Sequence, residues 1–429
     1  MDPLIIFSVA LVLILILTAR LRIHPFLSLI LVSVFVGLLI GDLERTLVAI
    51  SQGMGRVFGQ FAIVITAGSI IGLILHRTGG TTLIADDIIK ISKRPLLALN
   101  ILGFVFAVPL MCCILAYVIF IPVAKDLSAR LGISRAVSAT ALGLGTLASF
   151  NLVYPSPVVH PAMIELDILR PEVIVTGLAI AIIVSLIGYW YAVKFCDFGE
   201  NTSYSSEEVD LNKEEQEKVL PGRVASYSPL VIPIILILLD VFTAIPLFDL
   251  IGDPDVALLI GVILAILLTV RTFDFSEVRA WIEKGIRRSG IVLLDMCGGG
   301  ALGATLALTG AGEALGDLLI STSMPALLIP FLVTAAIQTV QGSRVVTMLV
   351  APSLIIPVLP ELGLPAEIVL FSMASGTLLI SHFNDPFFWI FGDLAEMETT
   401  EILRTYTAGG IIMGISSLAL TGLIYLVFY

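Results

Sequence analysis

Apolar stretches of membrane-spanning scale recur along the whole chain, at about residues 3–19, 25–41, 57–75, 95–124, 136–152, 172–191, 228–248, 256–270, 290–308, 324–360, 366–381 and 406–428. Such runs predict helices that cross ~30 Å of hydrocarbon, and the lack of alternating ten-residue segments excludes an outer-membrane barrel. Two stretches break the pattern. Residues 95–124 are too many for one span and carry Pro109 mid-run, and residues 324–360 are interrupted by the polar run QTVQGSR at 338–344. Each predicts a helical hairpin whose irregular tip is buried in protein, since bare backbone is not tolerated against lipid. The first stretch has no basic leader and no small-residue cleavage site before Arg20, which predicts a retained span and not a signal peptide.

The hydrophilic run at 197–223 divides the chain, and the two sides repeat one another. GLILHRTGG at 72–80 superposes on GATLALTGA at 303–311, an offset of 231 (303 minus 72). The same offset aligns Asp86 with Asp317, Gly132 with Gly363, GTL at 145–147 with GTL at 376–378, and Pro155 with Pro386. The expected organisation is an N-terminal repeat over 1–196, a cytoplasmic linker over 197–226 and a C-terminal repeat over 227–429. With five crossings and one re-entrant hairpin per half and the N-terminus outside, 19 of the 23 basic residues fall on the inner side; Arg45, Arg56 and Arg170 face outward and Arg344 stays inside a hairpin. An odd number of crossings inverts the second half relative to the first. The fold class expected is therefore an all-α polytopic membrane protein built of two inverted repeats, each with a hairpin and a broken helix, the plan of secondary transporters.

Composition narrows the picture further. The chain has 429 residues, of which 58% are hydrophobic and 13% charged, with a mean hydropathy of +1.07, well above the roughly half-apolar make-up of soluble domains. A net charge of −11 gives no hint of a nucleic-acid partner. Cys112, Cys113, Cys196 and Cys297 follow no metal-ligand spacing, so neither a metal nor a cofactor is expected, and the four read as small apolar filler. No nucleotide loop, zincin or nucleophile elbow is present, which argues against an enzyme.

Chemistry concentrates where polar residues interrupt spans. ISHFNDPFF at 380–388 is the repeat partner of SFNLVYPSP at 149–157, and proline in each removes a backbone donor and opens the helix. Freed amides and half-helix N-termini suit an anion, freed carbonyls a cation. The candidate substrate-binding residues are Ser149, Asn151, Ser156, Ser381 and Asn384 at the breaks, with Gln341, Gly342, Ser343 and Arg344 at the second hairpin tip. His382 and Asp385 are the candidates for proton coupling, because ionisable groups at membrane depth are functional by default. Against this stand plain capping roles for Asn151, Ser156, His382 and Asp385. Arg344 is either a planar clamp for a substrate carboxylate, a structural partner of Asp385, or a snorkelled surface residue. Asp240 and Asp295 read as packing or ion-ligand positions, and His160, Glu165 and Asp167 are expected to face outer solvent.

SHFNDPFFWIFGDL, GGGALGATLALTGAGEAL, QGSRVVTMLVAP and GSIIGLILHRTGG together resemble the gluconate permease family within the wider ion transporter superfamily, over residues 3–428. The resemblance implies a multi-pass protein of the bacterial inner (plasma) membrane that imports a small carboxylate, a sugar acid or hydroxy-carboxylate, together with a proton. It also implies elevator motion and a homodimer in the lipid bilayer. The chain departs from the family pattern in four places. Apolar Ile114 stands where the first hairpin carries an acid, YPSPVV replaces a PPHPGP-like run, Gln338 stands near a family arginine, and Arg344 replaces a small residue. The coupling ion is expected to be a proton ahead of sodium. The competing readings are a sodium/proton antiporter or other cation-coupled carrier of the same superfamily, which would use the broken-helix carbonyls and Asp385 without Arg344, and an intramembrane enzyme or channel, for which no nucleophile–base set or pore ring is seen.

Overall fold

The computed structural model describes residues 2–429 apart from 18–20, 22, 92–93, 198–221, 244, 312–313, 315–323 and 383–384. Every regular element among them is helical. In chain order they are α1 (Pro3–Leu15), α2 (Pro25–Ile40), α3 (Leu43–Thr78), α4 (Gly80–Ile91), α5 (Pro95–Ala107), α6 (Cys113–Leu131), α7 (Arg135–Leu152), α8 (Val159–Glu165) and α9 (Pro171–Phe195). The second part holds α10 (Arg223–Phe242), α11 (Pro246–Ile251), α12 (Pro254–Thr269), α13 (Phe275–Ala307), α14 (Leu328–Gln341), α15 (Arg344–Ile355), α16 (Ala366–Leu379), α17 (Pro386–Ala395) and α18 (Ala408–Phe428). A π-helical turn, Leu403–Thr407, leads into α18. Among the described residues six helices are long and apolar enough to cross a membrane, and the remaining apolar helices are shorter. Most of the linker range lies outside the described residues. α10 begins at Arg223, inside the last four residues expected to be linker, and its first residue is anchored by the pair with Asp87.

Local chemistry sets the boundaries. Proline supplies the first residue of α2, α5, α9, α12 and α17, where the missing N–H would have had no partner in any case. Asp2, Asp42, Asp253 and Asp385 cap α1, α3, α12 and α17 by accepting from amides of the first turn. The turn between α14 and α15 needs one left-handed residue, and Gly342 fills it at φ +80°.

Inside lipid, close backbone approach replaces the hydrophobic effect as the source of helix association. α3 and α13 run antiparallel along much of their length. Gly53 meets Gly300, Thr66 hydrogen-bonds Ser289 at 3.1 Å, and Ile70 meets Gly285. α2 packs on α13 through Leu29 and Gly298, and α12 packs on α3 through Gly261 and Ile71.

The hairpins and broken helices form the other layer. The stretch 95–124 divides into α5 and α6 around an irregular turn, and 324–360 into α14 and α15. α7 stops at Leu152 and α8 begins at Val159, while α16 stops at Leu379 and α17 begins at Pro386. Each broken helix lies against the first arm of its own hairpin at a glycine. A Cβ on Gly145 would sit 2.2 Å from the Asn100 carbonyl oxygen, and one on Gly376 would sit 2.3 Å from that of Phe331. Both members of this contact are 231 apart (376 minus 145, 331 minus 100), and α6 and α15 also start 231 apart (344 minus 113).

Candidate functional site

Two chain interruptions build the site. The break 380–385 delivers Ser381 and Asp385 to the tip of the α14–α15 hairpin, where Arg344 is the first residue of α15. The π-helical turn ahead of α18 brings Tyr406 to the same point. Arg344 Nη1 donates to Asp385 Oδ2 at 2.9 Å, and its Nη2 donates to Ser381 Oγ at 2.6 Å and to Tyr406 Oη at 2.9 Å. The Tyr406 hydroxyl donates in turn to Asp385 Oδ2 at 2.6 Å, and Asp385 Oδ1 accepts from the Phe387 amide at 2.9 Å. The ion-paired side chains are 4% and 3% exposed, so the charges are removed from water and from lipid alike. Phe387, Phe388 and Phe391 surround Tyr406, and the guanidinium carbon lies 5.8 Å from the Tyr406 ring centre.

An arginine buried this deeply is tolerable only with its donors engaged, and removing one member of such a pair costs about 3–5 kcal/mol. Three of the donor directions are satisfied as above. The Nε–H has no hydrogen-bond partner among the described residues and is itself buried. The cluster carries one positive and one negative side chain, so as it stands it is neutral. Cys113, the repeat partner of Arg344, is buried within electrostatic reach of both Arg344 and Asp385.

The remaining candidates separate into distinct roles. Ser343 caps α15 by accepting from Val346 N at 3.4 Å, Gly342 supplies the turn, and the side chains of Gln341 and Asn384 lie outside the described residues. His382 is half-buried beside Asp385, and its carbonyl accepts from the Asp385 amide at 2.9 Å. In the other break, Ser156 caps α8 through the Val159 amide at 3.2 Å. Asn151 joins the two broken helices: its Nδ2 donates to Leu147 O at 2.7 Å and its Oδ1 accepts from Thr377 Oγ1 at 2.8 Å. Ser149 Oγ is fully buried with no partner among the described residues. The structure therefore gathers Ser381, Arg344 and Asp385 with His382 alongside. It leaves Ser149, Asn151 and Ser156 on the other broken helix, with no described contact to Arg344.

Three further expectations resolve here. Asp295 accepts from the Phe26 amide at 3.2 Å and lies 3.5 Å from His24 Nδ1, tying α13 to the start of α2. Glu165 pairs with Arg56 at 2.9 Å and Asp167 is exposed. His160 does not face open solvent as expected. Its ring packs 5.7 Å from that of Phe61 and 5.3 Å from that of Tyr154, because α8 packs on α15 and α16 after the break with His160 turned toward Phe61 of α3. Near the first break, Pro109, Met111 and Pro155 line an apolar cavity of about 20 Å³ closed by Pro229 and Pro233, room for one water and no more.

Tyr406 is the member of the cluster that sequence reading missed. It stands at the polar edge of the last apolar run, in RTYTAGG, where two flanking threonines were the available signal. Thr407 Oγ1 donates to the Ser381 carbonyl at 2.5 Å, and Thr405 bonds within its own turn, so this short stretch is anchored to the break.

The family model for GntP family permeases matches residues 2–427. The low-affinity gluconate transporter of Escherichia coli K12 is 29% identical, over 95% of this chain and 94% of its own. The D-serine transporter DsdX of the same organism is 27% identical, over 97% of this chain and 96% of its own. Among solved structures, the YdaH transporter of Alcanivorax borkumensis superposes with a TM-score of 0.63 at 14% identity, covering 94% of this chain and 98% of that one, which is a likeness of fold.

Proposed function

Because the chain belongs to the GntP family of permeases, and is thus a multi-pass plasma-membrane transporter and not an enzyme, we propose that it carries a small organic anion by proton-coupled symport. The substrate class is a hydroxy-carboxylate of gluconate or glycerate size. The observation that carries the reading is the buried Arg344–Asp385–Ser381–Tyr406 cluster. A fixed planar cation at membrane depth suits a carboxylate, and an ionisable acid beside it suits a proton. Ser381 and Tyr406 add hydroxyl groups of the kind that recognise substrate hydroxyls. His382 stands at the edge of the cluster as a second titratable group. Ser149, Asn151 and Ser156 would serve substrate binding from the facing break, and Gln341, Gly342, Ser343 and Asn384 from the tip and break around Arg344.

The antiparallel pairing of α3 with α13, helices related by the repeat offset, supports an inverted arrangement of halves. So does the matching glycine contact of each broken helix. In this reading each half crosses five times, both termini lie outside, and the linker lies in the cytoplasm. The hairpins and broken helices move as a unit against a dimeric scaffold containing α3 and α13. Sodium coupling is the second reading; it would draw on carbonyls freed at the two breaks.

Counterflow into proteoliposomes with D-gluconate, D-glycerate, other aldonates and D-serine tests the substrate class. At least one hydroxy-carboxylate should exchange, and Arg344→Lys should raise its half-saturation about tenfold, because the ammonium keeps the charge but loses the two-donor fork. Exchange of D-serine with no simple hydroxy-carboxylate would overturn the proposed class.

A further inference from the structure

The proposed function rests on Arg344 meeting a substrate carboxylate, yet in the structure a carboxylate of the chain itself already occupies its Nη1. We propose that Asp385 is an internal competitor for Arg344, so that a proton on Asp385 is what frees the guanidinium for the anion, and proton and substrate are bound together because one cation cannot serve two buried carboxylates. This deepens the proposed function and depends on it.

With Asp385 ionised the cluster is neutral and closed on itself: Arg344 to Asp385, Tyr406 to Asp385, and Arg344 to Ser381 and Tyr406. A second anion entering this buried site would bring its net charge to −1 with no water to offset it. Protonation forms an O–H bond on the Asp385 carboxyl group and removes its negative charge. Arg344 keeps its own charge, so the cluster becomes +1. An incoming carboxylate returns it to zero. The proton stays on Asp385 during carriage and leaves when the anion leaves, after which the ion pair re-forms. No other reactant is required.

Geometry agrees with the charge argument. Asp385 uses a single oxygen toward Arg344, its second being held by the Phe387 amide, so this carboxylate engages the guanidinium at one point and not across its fork. The buried Nε–H has no partner among the described residues. Nη1, once released by Asp385, lies parallel to one N–H of Nη2, and the Nε–H lies parallel to the other, so a carboxylate that displaces Ser381 or Tyr406 from Nη2 meets two parallel N–H groups in a bidentate pair. The Tyr406 hydroxyl, both donor to Asp385 and acceptor from Arg344, can turn between them as the charge changes. The titratable and charged groups facing Asp385 are Arg344 from α15, Tyr406 from the π-helical turn, Cys113 from α6 and His382 from the break itself. Of these, Arg344 and Tyr406 touch it directly.

Purified protein in weakly buffered solution is titrated with whichever radiolabelled acid counterflows, D-gluconate or D-glycerate, while an indicator dye follows proton uptake. Over the pH range in which Asp385 is ionised in the free protein, the wild type should take up close to one proton per anion, and affinity should fall about tenfold per pH unit. Asp385→Asn keeps a capping side chain for α17. It should bind the acid at least as tightly, without pH slope and without proton uptake. Should that variant fail to fold, the proton count of His382→Gln decides: uptake retained supports Asp385, uptake lost overturns it. Uptake that persists in folded Asp385→Asn, or a folded Asp385→Asn that no longer binds, also overturns the inference. Wild-type binding without proton uptake overturns the inference alone, whereas no carboxylate binding by the wild type overturns the function with it.

Discussion

The two hairpin-and-break units share a backbone and differ in chemistry. In both, a broken helix lies against the carbonyl of the first hairpin arm through a glycine, Gly145 on Asn100 and Gly376 on Phe331. In both, proline lies within or just after the break and a short helix follows. The first unit nevertheless presents Cys113 at the start of its second arm, neutral Asn151 and Ser156 at its break, and an apolar cavity with room for one water. The second presents Arg344, Asp385 and Tyr406 joined by hydrogen bonds. The glycine packing contact recurs at the same offset in both units, while among the described residues the Arg344–Asp385 ion pair lies in the second.

The sharpest way to break this comparison is to remove the charge from one unit and its counterpart from the other. Arg344→Ala should lower stability by about 3–5 kcal/mol, because Asp385 is left buried and unpaired. Cys113→Ala should cost far less, within about 1 kcal/mol for the loss of one sulfur atom. Adding Asp385→Ala to Arg344→Ala should restore much of the stability, measured by thermal melts of the detergent-solubilised protein. A double variant no more stable than Arg344→Ala alone would show that the pair is not what holds the cluster.

Tyr406→Phe comes next. It deletes a hydroxyl that bonds both charged groups, and the loss should be about 1.5–3 kcal/mol in the same melts, with transport reduced. The glycine contacts test the shared part of the comparison. Gly145→Ala and Gly376→Ala each push a methyl group against backbone and should each destabilise by about 1–3 kcal/mol. Comparable losses support equivalent packing; a loss confined to one half would break the equivalence.

The smallest effect lies outside the spans. Asp87 on α4 accepts from Arg223 at the start of α10 at 2.8 and 2.9 Å, and this hydrogen bonding holds its carboxyl below the usual carboxylate range. A lowered value in the folded state stabilises above the unfolded value of about 3.9. That contribution is lost as pH falls through the folded value. Melts of wild type and Asp87→Asn should therefore differ slightly near neutral pH and converge in acid.

Much of the fold was legible because helix breaks in a membrane leave strong marks. Pro386 and Pro155, the QGS tip at 341–343 and the overlong run at 95–124 all mark real interruptions of helices. Arg344 and Asp385 stood out because a charge inside an apolar run is costly and therefore conspicuous. Tyr406 did not stand out, since a tyrosine at the end of a span usually marks the membrane interface. Only the π-helical turn that points it inward gives it a part in the cluster. His160 was misjudged for a related reason: its position after a break suggested exposure, but the packing of α8 on α15 and α16, which brings its ring to Phe61, is tertiary and no local pattern encodes it.

The central claim is that one proton and one organic anion move together through the Arg344–Asp385 cluster. Its most direct test is uptake of the counterflowing acid into sodium-free proteoliposomes under an imposed proton gradient, alkaline inside. The account predicts that the wild type concentrates the acid above equilibrium, and that Asp385→Asn equilibrates it without concentrating it. Concentration driven only by sodium, or equal concentration by Asp385→Asn, would contradict it.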